Sequence, residues 1–156
     1  MMRSKTYRYT LPWLILVLVL LQSCTTGMTV FNEAAYRQAV ELKVASMDLL
    51  DKASTSYSEN REAVEELKLD LLKAWEYAKG RPDNEAAARE WEMLIDPERN
   101  LLGNFLLRWE ERERLSPALV REYRFIITDA FDRIISLESG KMKPEDLVQQ
   151  NMTTPL

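Results

Sequence analysis

Cys24 is the only residue of the 156 that could serve as a thiol nucleophile or thiolate ligand, and the chain has no histidine to assist it. Without histidine, the commonest general base near neutral pH is missing, along with most zinc and copper sites and every Ser-His or Cys-His pair. A lone cysteine cannot close an internal disulfide. Carboxylates are the remaining acid–base groups. A glycosidase would need two of them across a cleft, one with a raised pKa, whereas the acids here fall mostly on polar helix faces or in first turns. Four glycines supply neither a phosphate-cradling loop nor a Gly-rich nucleophile elbow, and no EF-hand spacing occurs. The expectation is a non-enzyme with no catalytic residue, no cofactor and no metal.

The setting of Cys24 carries more than its reactivity. Met1–Thr10 holds Arg3, Lys5 and Arg8 and no acid, and the apolar run Leu11–Leu21 follows it. Spanning a bilayer takes about 20 apolar residues, so this shorter run reads as a cleavable export signal. Its end, Leu21-Gln22-Ser23-Cys24, resembles the lipobox of bacterial lipoproteins: an aliphatic residue, a small residue before the cut, then cysteine. Gln22 stands where a small residue is usual. The resemblance implies diacylglyceryl transfer to the Cys24 sulfur, cleavage after Ser23 and acylation of the new amine. Two or three buried chains anchor stably where one is marginal. It further implies that Thr25, in the place where Asp favours inner-membrane retention, directs the protein to the outer membrane, facing the periplasm. The lipid bilayer, reached through acylated Cys24, is then the first expected partner.

Taking away the three basic residues of the first 23 leaves 18 basic and 25 acidic side chains, a formal charge of −7. Nucleic acid requires clustered positive charge, so no nucleic-acid partner is expected. Six residues, Thr25–Val30, separate the cysteine from the first helical pattern. Fully extended they reach only ~20 Å, which keeps the domain against the bilayer.

The remaining chain must supply a folded domain, and its periodicity is helical. Asn32 suits an N-cap. Tyr36, Ala39, Val40, Met47, Leu50, Ala53 and Tyr57 then form a stripe, flanked by Leu42, Leu49 and Val44. Lys43 falls within the stripe and is a candidate buried charge, with a snorkelling stem or a carboxylate partner from another helix as its two readings. Ser54–Ser58 breaks the pattern, with Ser56 and Glu59 at capping-box spacing. A second helix is expected over Glu59–Lys79, stopped by Gly80 as a left-handed cap and by Pro82. Asp83 or Asn84 caps a third through Ile95. Asp96-Pro97-Glu98 reads as a break and restart, followed by helix to Leu115 with a weak point at Gly103-Asn104. The segment Arg108–Arg114 reads as a solvent-facing end laced with ion pairs. Ser116-Pro117 starts the last long helix, and Gly140 ends it.

These elements predict an all-α domain, an antiparallel bundle of about four principal helices with the third broken near Asp96-Pro97. The expected organisation is a signal over 1–23, a lipid-proximal linker over 24–31, the bundle over 32–150 and a tail over 151–156. Trp75, Trp91 and Trp109 lie on apolar faces of three helices. They read either as one filled core or as a hydrophobic cleft for a ligand or partner helix. The expected function is a membrane-tethered periplasmic module that binds a protein partner. An exclusion, immunity or secretion-accessory lipoprotein of a mobile element is the second reading, and a carrier of an acyl or other hydrophobic ligand the third.

Overall fold

In the computed structural model, which describes residues 31–147, the Asn32 side chain accepts a hydrogen bond from the Ala35 amide at 2.9 Å and opens α1, Glu33–Lys52. Four further helices follow: α2, Tyr57–Lys79; α3, Glu85–Ile95; α4, Leu102–Arg112; and α5, Pro117–Glu138. A last helical turn occupies 144–147. The domain is an all-α helical bundle. Cys24 and the expected signal over 1–23 lie outside the described residues.

Contacts along the α1–α5 seam run in opposite senses. Lys43 meets Asp132, Met47 meets Thr128 and Arg124, and Asp51 meets Arg124. The two helices are therefore antiparallel. One apolar cluster joins all five helices, through Leu42, Leu49 and Leu50 of α1, Leu67 and Leu71 of α2, Trp91 and Leu94 of α3, Phe105 and Trp109 of α4, and Ile127, Phe131 and Ile134 of α5. In α2 the buried side chains recur at helical steps: Val64, Leu67, Leu71, Ala74 and Ala78. Leu69 and Leu72, beside that face, are exposed.

On α1 the buried face is rotated from expectation. It centres on Ala39, Leu42, Ser46 and Leu49, while Val44 is exposed and Tyr36, Val40, Lys43 and Met47 flank the interface. A small polar residue, Ser46, sits in the buried seam. Small residues allow close backbone approach but are invisible to a search for large apolar side chains. Tyr57 belongs to α2 rather than α1, because the chain turns at Ala53–Ser56.

The break in the third helix is real but longer than a kink. Pro97 disfavours helical backbone at Asp96, which is extended with ψ 120°. The Asp96 carboxylate then accepts the Glu98 amide at 2.8 Å in a local turn, and helix resumes only at Leu102. Asp96-Pro97 is thus a stop and a turn, not an N-cap and first helical residue. Gly103, read as a weak point, is instead a point of close approach. A Cβ there would lie 2.2 Å from the Ile95 carbonyl oxygen.

The end of α2 also differs from expectation. Gly80 is right-handed, and the left-handed residue is Asp83 at φ 55°. The reversal toward α3 comes three residues after the cap, where an aspartate tolerates that backbone. At the other end of the chain, Ser116 caps α5 by accepting the Leu119 amide at 3.3 Å. Gly140, at φ 68°, closes α5 with paired bonds from Gly140 N to Leu137 O and from Lys141 N to Ser136 O, a Schellman arrangement.

Candidate partner-binding surface

The three tryptophans go to different places. Trp109 of α4 is fully buried, edge-on to Tyr57 and tilted against Phe105, and its indole N–H donates to the Thr55 carbonyl at 3.2 Å. Trp91 of α3 is buried edge-on to Phe131. Trp75 of α2 is partly buried, with the Lys79 ammonium 4.0 Å over its ring. Each ring has its own partners. Lys43 sits at the α1–α5 seam with its side chain 24% exposed, and its ammonium meets the Asp132 carboxylate at 2.5 Å. It packs its stem and also finds an acid on another helix, so it is a seam residue and not a buried charge.

The buried charges are others. Glu138, the last residue of α5, is 1% exposed. Its carboxylate takes the Arg81 guanidinium and, at 3.4 Å, the Asn84 amide nitrogen, which also donates to the Ala78 carbonyl at 3.1 Å. The Glu138 carbonyl accepts the Asn32 amide at 3.4 Å. Through its carboxylate and its backbone carbonyl together, this one residue ties the start of α1, the α2–α3 turn and the end of α5. Glu90 of α3 is the second, held at 2.9 Å by Arg133, which also pairs with Asp129. Neither acid stood out in the sequence. Their signal is positional: each falls at helical spacing on an otherwise apolar face.

The opposite end of the bundle is knitted by Glu113. It follows α4 at φ 61°, a backbone that costs a non-glycine residue about 1–3 kcal/mol. Its carboxylate accepts the Ser56 hydroxyl at 2.7 Å and the Ser58 amide at 3.3 Å. The first turn of α2 is therefore capped from another helix. Ser56 occupies the N-cap position, but its hydroxyl serves Glu113 rather than the α2 amides. The Leu115 amide returns to the Ala53 carbonyl at 2.9 Å. The segment Arg108–Arg114 is thus partly structural and not merely a solvated face.

The Ser56 hydroxyl, then the Ser58 amide, hold the Glu113 carboxyl below the usual glutamate range. A depressed acid contributes stability that is present above its unfolded pKa, near ~4.3, and is lost as pH falls through the folded value. Glu113→Gln is therefore expected to flatten the acid limb of the stability profile. The check is the shift in urea midpoint between neutral pH and pH 3, which should be smaller in the variant than in the wild type.

Several open surfaces remain among the described residues, one of them a groove of about 260 Å³ between α1 and α2 beside Leu42, Leu49 and Leu67. A groove of about 240 Å³ between α2 and the α3–α4 turn is floored by Leu71, Ile95, Pro97 and Leu106, with Lys68 and Glu110 at its rim. Lys68 is committed to neighbours: Glu65 at 2.8 Å and Glu110 at 3.7 Å. Burial opposes its charge, but these acids and the Tyr57 hydroxyl leave its pKa raised. The larger hollow, about 550 Å³, lies on the outer face of α5, among Arg121, Arg124, Phe125, Thr128, Asp129 and Asp132. Phe125 is 77% exposed there. It occupies the polar side of α5, about half a turn from the buried stripe, so a stripe search passes over it. Among the described residues no group of three or more His, Cys, Asp or Glu side chains could hold a metal ion. No helix among them is long and apolar enough to cross a membrane.

No protein-family model, no curated protein and no solved structure matches this chain.

Proposed function

We propose that this protein is a membrane-tethered, non-enzymatic lipoprotein that presents its bundle to a protein partner in the periplasm. Leu21–Cys24 supports the tether. The observation that most supports a partner face is Phe125. A solvated phenylalanine beside two arginines and two aspartates has the composition of a binding hot spot, an aromatic anchor with a charged rim. Arg124 is already oriented by Asp51 and the Met47 carbonyl, so the rim is partly preorganised. Phe125 lies 13 residues before Glu138 on one helix, about 20 Å along its axis.

In-cell crosslinking with mass spectrometry tests both parts. Native protein should yield a discrete partner. Phe125→Ser, a surface change with little expected effect on folding, should reduce that crosslink at least about tenfold, the effect of losing 1.4 kcal/mol or more of binding. A crosslink pattern indifferent to Phe125 would remove this face from consideration. Labelled palmitate should enter the wild type and not Cys24→Ala, and labelling that persists in the variant refutes the anchor.

A further inference from the structure

One end of the bundle gathers the start of α1, the end of α2, the start of α3 and the end of α5. Asn32 meets both Glu138 and Tyr77, and Glu138 meets Arg81 and Asn84. The described chain also enters at this end. Phe31 lies seven residues after Cys24 in sequence, at most about 25 Å when extended.

Aromatic side chains collect on its surface. Phe31 is 55% exposed and tilts against Tyr36 at 6.0 Å. Tyr77 is 43% exposed, with its hydroxyl 3.2 Å from the Asn32 amide nitrogen. Trp75 sits partly exposed near the end of α2 beneath Lys79. At the opposite end Tyr57 and Trp109 are fully buried, and the surface carries Ser56, Ser58, Asn60 and Glu113. Of the large aromatics that are exposed among the described residues, only Phe125 lies away from the entry end.

Amphipathic aromatic rings favour the boundary between headgroups and acyl chains, with the ring in the apolar layer and the polar tip in water. The charges at this end argue against an electrostatic alternative. Lys79 is paired with Glu76 and Arg81 with Glu138; Lys141 and Lys143 follow α5 at this end, but the acids Glu33, Asp83, Glu85, Glu145 and Asp146 outnumber them.

We propose that the entry end of the bundle is a membrane-seating face, with Phe31, Tyr77 and Trp75 placed in the headgroup boundary of a zwitterionic bilayer. This rests on the lipoprotein reading, and it adds an orientation. The helices stand away from the membrane, with the Glu113 end distal and Phe125 on the flank.

The test uses protein expressed from the full chain, recovered from bacterial membranes and reconstituted in phosphatidylcholine vesicles with brominated acyl chains. Intact mass reports whether Cys24 is acylated. Protein that arrives unacylated overturns the lipoprotein reading alone. Its free thiol is then joined to a maleimide lipid, so seating is measured in either case. Bromolipid should quench up to roughly one third of the emission, the share of Trp75 among the three tryptophans after Cys24. Trp75→Phe should abolish this quenching. Phe31→Ser with Tyr77→Ser should at least halve it while the circular dichroism spectrum is unchanged. Added phosphatidylglycerol should not strengthen it. Wild-type emission indifferent to bromolipid, equal quenching in Trp75→Phe, or seating that requires anionic lipid would each overturn the proposal.

Discussion

Glu138→Ala is expected to lower the stability of the domain by about 3–5 kcal/mol, read as a fall in the urea midpoint at unchanged slope. Domains of this kind are stable by only about 5–15 kcal/mol, so this one substitution removes a large part of the total. The reason is what remains after the side chain is gone. Arg81, 16% exposed, keeps its guanidinium against the vacated site, and the buried Asn84 loses one of its two acceptors. An uncompensated charge costs more than the pair contributed while intact. The double variant Arg81→Met with Glu138→Leu should therefore recover most of the loss, since an apolar pair of similar volume leaves no orphaned charge. A single variant that costs under about 1 kcal/mol would mean that water reaches Arg81 freely and that the ion pair ties nothing together.

Gly103→Ala should destabilise by about 3 kcal/mol, at the upper end of overpacking costs, against the ordinary preference of a helix for alanine over glycine by about 1 kcal/mol. The reversed sign is the diagnostic feature. The added Cβ would stand 2.2 Å from the Ile95 oxygen, 2.6 Å from its carbon and 2.8 Å from the Asp96 carbonyl carbon. All three are backbone atoms, so no rotamer change can relieve the clash. The start of α4 would have to lift from the end of α3. Gly80 is the internal control: a Cβ there meets nothing closer than the Glu76 oxygen at 3.5 Å, and its φ is −76°. Gly80→Ala should be neutral or mildly stabilising. Paired thermal or urea melts decide the matter, and equal behaviour of the two variants would show that the α3–α4 junction yields at little cost.

Helix identity was legible because capping and periodicity are local. Asn32 and Ser116 hold their caps through amides three residues away, and Gly140 closes α5 through neighbours in the same turn. The stripes of α2 to α5 repeat every three to four residues, and that spacing reports one face whatever the partner. Lys43 shows where such reading reaches its limit. Its place in a stripe indicates a seam, but Asp132 lies 89 positions later, and nothing nearby in the chain selects it. The α1 face was misjudged for a related reason. Its buried face includes Ser46 and Ala35, whose worth lies in allowing close approach and not in area buried.

Glu113 was hidden more deeply. Within Arg108–Arg114 it is one acid in a run of mixed charge, and it becomes a cap only because the α2 N-terminus arrives beside it. The side chain serves one helix while the backbone ends another, which explains why a glutamate occupies a left-handed position that glycine would fill with less strain.

By itself the sequence determined the all-α class, the helix starts at Asn32 and Ser116, the break at Asp96-Pro97 and the exclusion of histidine chemistry. It is also the sole source for the expected lipid attachment at Cys24. Each of these depends on residue type or on spacing within a few positions. Only the tertiary structure decided that Glu138 and Glu90 are the buried charges, that Gly103 must be glycine, that Glu113 caps a foreign helix and that Phe125 stands in solvent. Those facts depend on distances between segments remote in sequence, and such distances are set by how whole helix faces pack together.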